Sequence, residues 1–123
     1  MTIKRFEDID CWKIARDLSR MVYSLAKGTA FARDFGLRDQ ITRAAGSTMH
    51  NIAEGFDAET NPEFIRFLRF SKRSATEVQS QLYVALDQGY ISQEQFDDTY
   101  EHARLVRAKE GAFIHYLSNN RKP

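Results

Sequence analysis

Thiols, long apolar runs and an excess of either charge are all scarce in this sequence of 123 residues. Its one cysteine, Cys11, can make neither an internal disulfide nor a thiolate metal cage, and it reads as a small residue packed near Trp12. No apolar stretch reaches the roughly 18 residues that a membrane span requires, and the N-terminal MTIKRFEDID lacks the apolar middle of a secretory signal. A cytoplasmic protein with no membrane partner is expected. With 18 Lys and Arg against 17 Asp and Glu the net charge is +1, so any electrostatic function has to come from how the charges are distributed.

Catalytic and cofactor motifs are missing as well. His50, His102 and His115 lie on separate segments, with no HExxH and no glutamate three residues before any of them. That removes the di-iron signature of ferritin-like bundles and leaves zinc without a ligand set. Neither GxxxxGK[ST] nor GxGxxG occurs, and nothing places a base beside a serine nucleophile. No catalytic residue, no metal and no cofactor is assigned.

What the chain does have is helical periodicity. With 42% hydrophobic residues it is sized for one core and one domain over residues 1–123. Four helices are expected, at about 10–27, 37–55, 62–88 and 93–118. The first places Trp12, Ala15, Leu18, Val22 and Leu25 at three- and four-residue steps and ends at Gly28. The second carries Leu37, Ile41, Ala44, Ala45, Thr48 and Ile52 on one face and stops at Gly55. Gly46 inside it should cost about 1 kcal/mol relative to alanine, which points to close approach by a neighbouring helix. Asn61, as a cap followed by Pro62, opens the third helix, and Gly89 closes it. Ser92 with Gln95 forms a capping box for the fourth, beyond which the RKP tail frays. Short connections make sequential helices antiparallel, so the fold is all-α, an antiparallel up-down-up-down four-helix bundle.

Charge is unevenly placed on these helices. From Pro62 to Ser74 there are four cations against the single anion Glu63, whereas Tyr90 to Glu101 holds four anions and no cation. Counting outward from the turns sets Arg73 level with Arg107 and with Arg43, so cations collect at one height of the bundle. The acids opening the fourth helix answer its dipole, but Arg66 to Arg73 lie in the first half of theirs, where cations gain nothing from it. Two uses are open: neutralising nucleic acid phosphates, or pairing with buried acids. Glu110 falls on the apolar seam between Val106 and Phe113, where an unpaired carboxylate would cost several kcal/mol. Arg69 or Arg73 is its expected partner. Arg66, Arg69 and Glu110 are therefore candidate internal polar struts, and Arg43, Lys72, Arg73 and Arg107 candidate contacts to RNA or DNA.

The third helix is also too apolar for one core stripe. If Leu68, Ala75, Val78 and Leu82 face inward, Phe67, Phe70 and Val84 point to a second side and become the candidate oligomer interface. Self-association is expected.

The segment NIAEGF (Asn51, Ile52, Ala53, Glu54, Gly55, Phe56), with Phe64, Arg66, Phe67, Leu68, Ser74, Glu77 and Val78 after the turn, resembles the 23S rRNA intervening sequence protein family. That family reads AxxSNIAEGF, a turn, then FxRFLxxAxxSxxEL, and the resemblance extends over nearly the whole chain. It implies a four-helix bundle that forms ring-like pentamers, with RNA or a nucleic acid enzyme as partner, and makes the motif acids Glu54 and Glu77 candidate internal polar struts like Glu110. His50 and Met49 depart from the family's usual serine and proline. Arg43 and His50, with six residues between them, also resemble the R-x4-6-H motif of HEPN ribonucleases, in which the pair would act around a scissile phosphate. The favoured expectation is a non-enzymatic, self-assembling protein whose basic surface is open to RNA, DNA or a nucleic acid enzyme; the others are that ribonuclease, and an assembly or adaptor protein without a nucleic acid ligand.

Overall fold

A computed structural model of the chain describes residues 3–120, and the expected fraying of the RKP tail falls outside them. Five α-helices are present among the described residues, four of them long: α1 (Asp10–Ala26), α2 (Thr29–Arg33), α3 (Phe35–Phe56), α4 (Asn61–Asp87) and α5 (Gln93–Asn119). A single 3-10 turn, Phe6–Asp8, precedes them, and the Phe6 ring meets the Trp12 ring edge-on at 5.1 Å.

Local chemistry explains where each rod begins and ends. The Asp34 carboxylate accepts from the Leu37 backbone N–H at 3.1 Å and starts α3 two residues earlier than the periodicity suggested. Asp34 also accepts from the Tyr90 hydroxyl at 3.0 Å. The α4 cap is Thr60, not Asn61 as expected: its hydroxyl accepts from Glu63 N–H at 3.3 Å, and Pro62 follows in the first turn, where a missing N–H does no harm. The Asn61 side chain instead donates to the Leu117 carbonyl at 3.4 Å, tying this turn to the end of α5. Ser92 and Gln95 form the expected capping box. The short α2 was not anticipated, and its fully buried Phe31 stacks on Tyr90 at 5.4 Å.

Cross-helix contacts give the directions. Thr48 meets Ser71, Ser47 meets Ser74 and Phe56 meets Phe64, so α3 and α4 run antiparallel. Asn61 with Leu117, Phe64 with Phe113 and Gln79 with Tyr100 make α4 and α5 antiparallel in turn. The helix α1 closes the ring by packing on α3 and α5, and His102 on α5 bonds the Ile14 carbonyl at 3.0 Å. The inward faces supply the core: Leu18 and Val22 from α1, Ile41 and Ile52 from α3, Leu68, Val78 and Leu82 from α4, Val106 from α5, all without solvent exposure.

Gly55 neither ends α3 nor adopts a left-handed backbone. A Cβ there would lie 2.8 Å from both Phe64 and Phe67, so it is the point of closest approach of α3 and α4. Gly46, expected to have that role, faces nothing nearer than the ring of its own neighbour His50, 3.5 Å from where a Cβ would stand. No helix among the described residues is long and apolar enough to cross a membrane.

Candidate functional site

Four residues of α4 spaced by three, one and three, Arg69, Lys72, Arg73 and Thr76, form one stripe on the helix surface. Arg107 projects from antiparallel α5, and together the five line a groove of about 250 Å³. None of its four cations is in an ion pair among the described residues. Among the described residues all five ion pairs instead join positions one or three apart, such as Arg66 with Glu63 at 2.9 Å and Arg20 with Asp17 at 3.6 Å. Arg107 donates to the Gln79 side-chain oxygen at 3.3 Å, while its Nε is buried with no acceptor. Thr76 donates to the Lys72 carbonyl at 3.2 Å, and the Arg73 guanidinium lies over the Phe70 ring at 5.8 Å.

Glu110 on α5 bears on the same cations. It is fully buried, and neither carboxyl oxygen receives a hydrogen bond. Burial pushes its pKa up to about 8, against the lowering influence of the Lys72 and Arg107 charges. The Ser71 proton is already committed to the Thr48 carbonyl at 2.6 Å, which leaves its oxygen free to accept from a protonated Glu110. Burial, and next the Glu110 charge, push the Cys11 thiol up to about 12, which suits packing and not nucleophilic chemistry. At neutral pH Glu110 is therefore mostly uncharged and leaves the groove its full positive charge.

The expected struts need correcting. Arg66, Arg69, Glu54 and Glu77 are exposed, and no pair among them bridges helices. Arg66 pairs within its own helix and lies over Phe70 at 5.2 Å; Glu77 accepts from Gln81 at 3.2 Å. Glu110 alone is internal, and Lys72 and Arg107, not Arg69 or Arg73, are the cations whose charge reaches it. The reason is rotational: α4 buries Phe64, Ile65, Leu68, Ser71, Ala75, Val78 and Leu82, which turns 66, 69 and 73 outward.

The structure brings Lys72, Arg73 and Arg107 together, as the levelling of the helices suggested, and adds Arg69. Arg43 stands apart, in a separate groove of about 240 Å³ between α3 and α4 with Gln40, Ser47, Ser74 and Glu77. Arg43 and His50 are both exposed, two turns and roughly 10 Å apart along α3. Phe67 and Phe70 are half-buried and meet edge-on at 6.0 Å, while Val84 is 45% exposed beside Tyr83 at 50%. Arg69 and Thr76 are the groove residues not assigned to it from sequence, although their spacing with Lys72 and Arg73 is a legible stripe. A further hollow of about 290 Å³ is lined by Ile9, Cys11, Phe113 and Tyr116 together with Asp8, Asp10 and Lys109, so it carries charges of both signs and no cluster of cations. Among the described residues no three His, Cys, Asp or Glu side chains gather to hold a metal ion.

Rods, ring order and groove define a four-helix bundle with an outward basic face. The model of the 23S rRNA-intervening sequence protein family matches residues 7–110, and the chain belongs to that family. Among solved structures it is similar to a protein of unknown function from the S23 ribosomal protein family of Bacteroides thetaiotaomicron VPI-5482. The TM-score is 0.77 at 21% identity over 85% of this chain and 97% of that one, a likeness of fold. No curated protein matches the chain significantly.

Proposed function

We propose that this protein is a non-enzymatic, self-assembling bundle of the cytoplasm that contacts the phosphates of RNA or DNA through the groove between α4 and α5. One observation carries the reading: Arg69, Lys72, Arg73 and Arg107 share a groove and have no ion-pair partner among the described residues, and the buried Glu110 carboxyl on which Lys72 and Arg107 act is mostly neutral at physiological pH. Four cations side by side in one groove offer an anion a shared site. Membership of the family supports a homo-oligomer, a pentamer by family resemblance, and the partly exposed Phe67, Phe70 and Val84 supply apolar surface for it.

The test is binding of single-stranded RNA over a range of salt. Each phosphate neutralised contributes about −0.7 to the slope of log affinity against log salt, so a steep decline with a slope of about −2 to −3 is expected. Binding that ignores salt, or no binding at low salt, removes the reading. RNA should also be released uncut. Cleavage that disappears in His50→Ala would replace a binding role with a catalytic one.

A further inference from the structure

Two of the four groove cations face two ways. Lys72 and Arg107 are half-buried, whereas Arg69 and Arg73 stand in solvent. The Lys72 ammonium lies beside Gly111, the residue after Glu110, with Nζ 3.6 Å from where a Cβ would stand. Arg107 is three residues before Glu110 and keeps a buried Nε without an acceptor. These two side chains can answer to an anion in the groove or to an ionised Glu110 below it. Taking the groove as a phosphate site, we propose that Glu110 is its internal counter-charge: a phosphate group in the groove and a proton on Glu110 favour each other, and loss of that proton weakens the hold on phosphate.

The surroundings leave this role to Glu110. From α1 it is faced by Cys11, whose thiol keeps its proton to about pH 12. Lys72 comes from α4, with the uncharged Ser71, and α3 contributes the uncharged Thr48 through its bond to Ser71. Arg107 comes from α5 itself, and its charge, like that of Lys72, acts on Glu110. Glu110 retains its proton to about pH 8, so the coupling falls just above physiological pH. An anion in the groove draws Lys72 and Arg107 outward and makes ionisation below more costly, and the effect is reciprocal.

The probe is a single-stranded oligocytidylate without terminal phosphate, whose diesters and bases keep their charge from about pH 6.5 to about 9.5. Its affinity for the full chain is measured across that window at fixed ionic strength. Wild-type affinity should fall by about tenfold, the equivalent of one pKa unit of coupling. Glu110→Gln should hold the tight limit with a flat profile. Glu110→Leu should behave alike, and it serves if the buried amide prevents folding. In the wild type, the Glu110 carboxyl carbon followed by NMR should titrate at higher pH with the oligonucleotide bound than without it. A flat wild-type profile, an unmoved Glu110 titration, or pH dependence that survives in both variants overturns the coupling and leaves the phosphate site standing. Absence of binding at every pH removes the phosphate site, and the coupling with it.

Discussion

Glu110 holds its proton to about pH 8 in the folded protein, while in the unfolded chain the same carboxyl ionises near its ordinary value of 4.5. Between those two values the folded state carries a proton that the unfolded state has lost. The stability contribution is therefore greatest below about pH 4.5, declines across the window and levels off above about 8, a total of roughly 4 to 5 kcal/mol. Urea denaturation at pH 5 and pH 8 should show this as a difference between wild type and Glu110→Leu, which keeps the neutral side chain at both. An equal pH response in the two proteins would mean that the carboxyl is solvated. The glycines separate by the same kind of local reasoning. Gly55→Ala should destabilise by about 1–3 kcal/mol, because the new methyl meets Phe64 and Phe67 at 2.8 Å and α3 must move off α4. Gly46→Ala, whose methyl has ordinary contact distance, should stabilise by about 0.5–1 kcal/mol through helix propensity. Denaturation midpoints that move the same way in both variants would contradict this contrast.

At the end of α4 the chain has to reverse within a few residues, and Gly89 does so at φ +77°, the one positive φ among the described residues. Its N–H donates to the Leu86 carbonyl at 3.0 Å and the Tyr90 N–H to Ala85 at 2.9 Å, the bond pair of a Schellman motif. Gly89→Ala has free space for its methyl yet should cost about 1 kcal/mol for the left-handed backbone alone, measurable as a lowered melting temperature. This stop, and the Ser92–Gln95 start after it, were legible in sequence because caps are read from one or two side chains. So were the stripes: all six residues expected on the inner face of α3, Leu37, Ile41, Ala44, Ala45, Thr48 and Ile52, are buried. The short α2 was not legible, since five residues are too few to show a period. The rotation of α4 was only half legible. Its inner stripe reads correctly, but spacing does not say whether an arginine at its edge turns in or out, and Arg66 and Arg69 turn out. Glu110 was placed correctly on the seam for the converse reason, as its apolar neighbours fix its face. Its lack of a paired cation has no counterpart in sequence.

Across the whole bundle, cohesion comes from the shared apolar interior, because the five ion pairs among the described residues are local and exposed and add little. Phe67, Phe70 and Val84 on α4 are partly exposed, and the proposed self-assembly rests on them. Light scattering should give a mass independent of dilution, and Phe70→Asp should lower it; a wild-type monomer at micromolar concentration would remove the assembly. The basic groove makes a demand of its own, that Arg69, Lys72, Arg73 and Arg107 meet phosphate as a group while Arg43, in its separate groove, does not. The direct measurement is the salt dependence of RNA affinity for Arg73→Glu beside Arg43→Glu. Arg73→Glu should flatten the slope by about one and weaken binding at low salt, and Arg43→Glu should leave both close to wild type. Equal effects from the two reversals, or none from either, would contradict a phosphate site between α4 and α5.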